Sequence, residues 1–166
     1  GSMFLIFGIL AALYERALSG KGQTIDAAMV DGVPAMMGLF HQQIAKGSWT
    51  DGERQSNLLD GGAPFYRCYE CADEKFISVG ALEPQFFAEL VEIVKLPEID
   101  LVTQNDRTTW AEKNKVYEKI FKSKSRDEWS KIFEGTDACV TPILTLEEAK
   151  KYPANLEREV FFERDG

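Results

Sequence analysis

Two short stretches constrain this chain more than any others: Asn57-Leu-Leu-Asp-Gly-Gly-Ala-Pro-Phe-Tyr-Arg67 and Val79-Gly-Ala-Leu-Glu-Pro-Gln-Phe86. In the first, two glycines and a proline set a rigid turn directly ahead of a run that favours β structure. In the second, a Glu-Pro pair stops a strand and starts a helix, because proline has no N–H for a ladder while its fixed φ suits the first helical position. The pattern predicts strands over residues 65–69 and 76–79, joined into a hairpin by the turn Ala72-Asp73-Glu74.

The surrounding sequence extends this unit. Residues 84–94 place Phe86, Phe87, Leu90, Val91 and Val94 on one face of a helix. Three further helix starts carry a hydroxyl followed three positions later by a glutamate, a pairing that satisfies exposed backbone donors reciprocally: Thr109 with Glu112, Ser125 with Glu128 and Thr145 with Glu148. The second of these helices is expected to end at Gly135, with residues 140–144 as another strand.

Upstream, residues 3–18 are apolar almost throughout, interrupted by Tyr14-Glu-Arg16 and closed at Ser19-Gly20, which reads as a helix buried on nearly every side. Residues 23–27 form a short strand candidate, and 29–45 a helical stretch interrupted by Gly32 and Pro34. Residues 47–63 read as a linker-like loop. The fold class is therefore α+β: N-terminal helices and a short strand, then a small domain with a β-hairpin or small sheet covered by helices. The expected divisions are 1–50, a helical segment; 51–152, the small α+β domain; and 153–166, the start of a C-terminal linker.

Composition narrows the partners. Nineteen Lys and Arg against 27 Asp and Glu give a net charge of −8, which repels polyanions and argues against nucleic acid and anionic membrane surfaces. It also disfavours an autonomous site for a ligand with several phosphates. Three cysteines, Cys68, Cys71 and Cys139, are an odd number that fits a reducing, cytoplasmic setting better than a disulfide scaffold. The Cys68-x-x-Cys71 spacing invites a zinc reading, but zinc needs two further ligands and only Cys139 and the lone His41 remain among Cys and His, so no metal is expected. The longest apolar run, residues 3–13, is about half of the roughly 20 residues a membrane span requires and has no basic residue before it, which suits a buried helix and no membrane partner.

Both opening stretches closely resemble the α-methylacyl-CoA racemase branch of the family III CoA-transferases (the CaiB/BaiF family). The same holds for Gly20-Lys-Gly-Gln-Thr-Ile-Asp-Ala-Ala-Met-Val-Asp-Gly32 and Phe133-Glu-Gly-Thr-Asp-Ala-Cys-Val-Thr-Pro142. In the transferase branch a glycine-rich loop of the small domain covers the acyl-CoA site. Asp-Gly-Gly-Ala-Pro and Gly-Ala-Leu-Glu-Pro stand here instead and favour the racemase branch. The resemblance implies an acyl-CoA thioester as substrate, no cofactor, a homodimer, and inversion of the carbon next to the thioester by removal and return of its α-proton. It also implies that the His and Asp that move the proton lie in an N-terminal half, the Asp a few residues before the position of Gly1. The chain is thus expected to be part of such an enzyme and inactive alone, its first 30 residues lacking their usual sheet and packing on a second copy or on the small domain. Two alternatives stand: part of a transferase in which that Asp forms a covalent acyl intermediate, or a non-catalytic module that dimerises or binds a partner through residues 3–28.

By the same resemblance Glu83 holds a supporting catalytic role, approaching the catalytic histidine at the dimer interface. Its position before Pro84 also makes it a helix N-cap candidate, where the helix dipole favours negative charge. Asp60, Gly61, Gly62 and Ala63 are substrate-binding candidates, because glycine lets backbone donors approach an anionic or carbonyl oxygen closely. His41 is read as an ordinary surface or boundary residue, Asp26 as ending the strand and Asp31 as a solvated or capping carboxylate. Phe65, Tyr66, Tyr69, Phe86 and Phe87 are read as core.

Overall fold

The expected hairpin forms. In a computed structural model that describes residues 1–97 and 99–164, β1 (Tyr66–Glu70) pairs antiparallel with β2 (Phe76–Gly80), placing Tyr66 opposite Gly80 and Glu70 opposite Phe76. β3 (Val140–Pro142) adds to the far side of β2 with Thr141 opposite Ser78, completing a three-stranded sheet in the order β1-β2-β3. Successive side chains on a strand alternate between faces. Tyr69, Ile77 and Val79 accordingly enter the core, each 2% exposed or less, while Cys68, Ser78 and Thr141 share the opposite face.

Helices cover the core face. α4 (Pro84–Val94) starts with proline at its first turn and buries Phe87, Leu90 and Val91, with Phe86 and Val94 partly buried beside them. After it come α5 (Ile99–Val102), a 3-10 turn (Arg107–Thr109), α6 (Trp110–Phe121), α7 (Arg126–Phe133), α8 (Leu146–Lys151) and α9 (Pro153–Glu157). The core is aromatic: Tyr69 stacks on Phe121 at 5.0 Å between ring centroids, and Phe65 meets Phe87 and Trp110 edge-on at 5.3 and 6.0 Å. Burying each large apolar side chain contributes about 1.5–3 kcal/mol, provided the polar tips find partners. They do: Tyr69 donates to the Pro64 carbonyl at 2.6 Å, and the Trp110 and Trp129 indole N–H groups donate to the Gln104 and Phe121 carbonyls at 2.9 Å. Burial pushes the Tyr69 hydroxyl well above its ordinary range.

Two of the three expected capping boxes form, at Ser125 with Glu128 and Thr145 with Glu148. Glu148 does more. It takes a two-pronged ion pair from Arg126 at 2.8 and 2.9 Å, and Arg126, 5% exposed, also donates to the Ile143 carbonyl at 3.0 Å. The Arg126 backbone N–H donates to Asp73 in the hairpin turn at 3.0 Å, so one residue ties α7 to both α8 and the hairpin. The third box does not form. Thr109 has helical backbone angles, and its hydroxyl donates backwards to the Asp106 carbonyl at 2.8 Å. Asp106 caps the preceding 3-10 turn by accepting from the Thr108 N–H at 3.0 Å. A box needs an extended N-cap residue, and the extra turn removes it.

The chain divides into two compact units, Gly1–Asp51 and Gly52–Gly166, and the first departs from expectation. α1 (Ser2–Ser19) ends at Gly20 with φ 73° as its sequence predicts, yet none of its residues is buried. Apolar character on all sides expresses a preference for burial, and it is unmet here: Met3 and Phe7 are each 76% exposed. The helix continues through Tyr14–Arg16 to 18 residues with a mean hydropathy of 1.4. By length and composition alone it is long enough to cross a membrane, a test that core helices of soluble proteins and signal sequences also pass. Residues 23–27 form no strand, since a lone extended segment has no ladder to join. The stretch 29–45 is two helices, α2 (Met29–Met36) and α3 (Gly38–Ala45). They part at Met37 rather than at Gly32 or Pro34, which both lie within α2.

Candidate functional site

The outer face of the sheet is the floor of a cavity of about 690 Å³. Its lining includes Asp60 and Gly61 from the loop before β1, Tyr66 and Cys68 on β1, Ser78 and Gly80 on β2, and Cys139 and Thr141 at β3. The loop forms a wall, and its shape is set by one carboxylate. Asp60 accepts from the Asn57 and Gly62 backbone N–H groups at 2.8 and 3.1 Å and from the Asn57 side-chain amide at 2.9 Å. Burial alone would raise the Asp60 carboxyl, but the bonds from the Asn57 side chain and from the Asn57, Gly62 and Ser56 amides hold it below the usual carboxylate range.

Residues from the helices lock this loop from outside. Arg107 donates to the Ser56 carbonyl at 2.5 Å and to the Asn57 side-chain oxygen at 3.3 Å, and Asn114 on α6 donates to the Gly62 carbonyl at 3.0 Å. Gly62 lies so close to the Asn57 backbone that a Cβ there would stand 2.7 Å from its N and O atoms. Gly61 holds φ +90°, where a side chain is strained. Asp60 and Gly61 thus reach the cavity wall, whereas Gly62 and Ala63 are buried behind it.

Glu83 stands as the N-cap of α4 with extended backbone angles, but its side chain makes no capping hydrogen bond. Its charge is felt by Cys139 on the cavity lining: burial raises the Cys139 thiol first, and the carboxylates of Glu83, Asp137 and Glu89 raise it further. Cys139 itself holds φ 53°, an uncommon conformation for a residue with a side chain. The backbone entering Glu83 is held by Gln104, 5% exposed, which donates to the Ala81 and Leu82 carbonyls.

The other sequence candidates are not brought here. His41 lies on α3 in the first unit and is exposed. Asp26 and Asp31 line a separate cavity of about 250 Å³ in that unit, beside Phe4 and Ile25. Cys68 on β1 is exposed, while Cys71, just past the end of that strand, is buried, its thiol raised to about 11 chiefly by burial. Among the described residues no group of three or more His, Cys, Asp or Glu could hold a metal ion. Of the aromatic set, Phe65, Tyr69 and Phe87 are buried, Phe86 and Tyr66 are partly buried against the core, and Tyr66 also lines the cavity. Asn57, Gln104, Arg107 and Asn114 were not singled out by the sequence. Only Asn57, three positions before Asp60 in a Ser/Asn/Asp-rich loop, carries a local signal of side-chain to backbone bonding.

The family model for CoA-transferase family III matches residues 1–166. The chain belongs to this family. It is similar to the alpha-methylacyl-CoA racemases of Mus musculus and Homo sapiens, each 44% identical over 161 residues, covering 97% of this chain and 42% of the relative. This member of CoA-transferase family III therefore spans about two-fifths of the length of those curated relatives. Its fold is similar to that of Rv3272 from M. tuberculosis in an orthorhombic crystal form, with a TM-score of 0.67 and 19% identity over 94% of this chain and 40% of that one. The expected family and fold class are both confirmed.

Proposed function

We infer that this chain forms one wall of the acyl-CoA site of an enzyme that epimerises 2-methylacyl-CoA thioesters. The observation that carries this reading is the 44% identity to two alpha-methylacyl-CoA racemases across 97% of the chain. The cavity over the sheet supports it by its size, and the Glu83 carboxylate acts electrostatically on Cys139 in its lining.

Removing a proton next to a thioester requires acid/base groups on both faces of a planar enolate, and donors for its oxygen in a site sheltered from water. The cavity lining contains no histidine. The family resemblance puts the proton-moving His and Asp in sequence preceding these 166 residues, so the chain alone is inactive in this account. Its own part is positional. The Glu83 carboxylate, not spent on capping, accepts a charged hydrogen bond from a histidine, orients the imidazole and strengthens it as a base. The locked loop and Tyr66 wall the space above the sheet on one side. The substrate is an acyl-CoA, no cofactor takes part, and the assembly is a cytoplasmic homodimer.

The test joins this chain to the N-terminal portion of the Mus musculus racemase and supplies one epimer of a 2-methylacyl-CoA together with a different free acid. The account expects both epimers of the thioester and no thioester of the added acid. A new thioester without epimerisation would make the site a transferase, and neither product would sink both readings.

A further inference from the structure

Cys68, Ser78 and Thr141 form a row across the cavity floor. We propose that this row is the floor on which the pantetheine arm of the thioester lies, an inference that rests on the acyl-CoA reading and assigns residues to it. The hydroxyls of Ser78 and Thr141 donate to the two amide carbonyls of the arm, and the Cys68 thiol lies alongside.

The register places the three residues side by side. Cys68 is directly opposite Ser78, and Ser78 directly opposite Thr141, so one straight row crosses all three strands on the face away from the core. All three line the same cavity. Neighbouring strands lie about 4.8 Å apart. The two amide carbonyl carbons of pantetheine are separated by four bonds of about 1.3–1.5 Å each, which span roughly 5 Å when extended. Adjacent members of the row therefore match successive carbonyls of the arm without bending either.

The chemistry fits as well as the spacing. The row is small and uncharged, offers hydroxyl donors and acceptors, and suits a neutral diamide better than a carboxylate or a phosphate. In the next row Gly80 stands opposite Tyr66, and a Cβ at Gly80 would stand 4.0 Å from the Tyr66 ring. An exposed antiparallel face is often simply solvated, but here Gln55, Asp60 and Gly61 line the same cavity. Asp60, Arg107 and Asn114 fix that wall in place.

The test titrates the 15N-labelled 166-residue chain with 2-methylbutanoyl-pantetheine, which has no nucleotide phosphates to meet the acidic chain. The inference expects saturable amide shifts centred on Cys68, Ser78, Gly80 and Thr141. Ser78→Ala and Thr141→Val should each weaken binding about fivefold, the worth of one hydrogen bond, and Thr141→Ser should keep it. Shifts centred elsewhere, no saturable shift at millimolar ligand, or unchanged affinity in Ser78→Ala and Thr141→Val would overturn it. Epimerisation by the joined protein separates this failure from that of the underlying reading: activity with KM unchanged in both variants removes the floor and leaves the racemase account standing.

Discussion

The side-chain amide of Gln104 donates to the Leu82 carbonyl at 3.0 Å, so a buried residue on a distant turn fixes the backbone that presents Glu83. It reaches the Ala81 carbonyl as well, at 3.3 Å. Gln104→Leu leaves both carbonyls without this donor, and the cost of unpaired buried polar groups is about 1–3 kcal/mol. Urea unfolding should show that loss, with faster amide exchange at Leu82 and Glu83. Unchanged stability would mean that the loop holds itself.

Gly62 allows no side chain. A Cβ at 2.7 Å from backbone atoms cannot be relieved by a rotamer change, so Gly62→Ala should cost about 1–3 kcal/mol, the usual range for overpacking. Gly22→Ala is the control, because nothing lies within 4 Å of a Cβ there. Thermal melts of the two variants should separate clearly.

Acid should weaken the second unit through particular carboxylates. Hydrogen bonds from Arg126, then from the Thr145 amide and Lys75, hold the Glu148 carboxyl far below its usual range, and Asp60 is held low by its loop. A carboxyl depressed on folding stabilises the fold above its ordinary value, about 4 for Asp and Glu, and that stability is lost as pH falls through the folded value. Glu148→Gln should therefore melt below the wild type at pH 7, and the gap should shrink from about pH 4 downward. A gap independent of pH would contradict the assignment.

Glu83 is to be tested in the joined protein. Glu83→Gln keeps the shape but removes the charge that would orient and strengthen a histidine base, and general acid/base contributions are typically 10²–10⁴-fold. A fall in kcat of about 10²-fold with little change in KM is expected. Equal loss in Asp137→Asn, which also places charge near Cys139, would reduce Glu83 to a general contributor of negative field.

What the sequence reveals here is local. The hairpin, the proline-started α4 and two capping boxes depend on residues a few positions apart, and they lie where the spacing puts them. Thr109 fails because Asp106 adds a turn that the Thr/Glu spacing does not report. The burial of α1 fails for a different reason: hydropathy states a preference, and meeting it needs a surface that residues 1–51 do not offer. At the candidate site, Asp60 and Gly61 are visible as turn residues. Gln104 and Arg107 are not, since they act 22 and 51 residues away from Leu82 and Ser56.

The most direct test is deuterium incorporation at the α-carbon of a 2-methylacyl-CoA incubated with the 166-residue chain alone in deuterium oxide. The account predicts no incorporation above the buffer background, because this chain supplies the floor, the wall and Glu83 but not the pair that moves the proton. Incorporation that rises in proportion to protein would place the acid and base within these residues and contradict it.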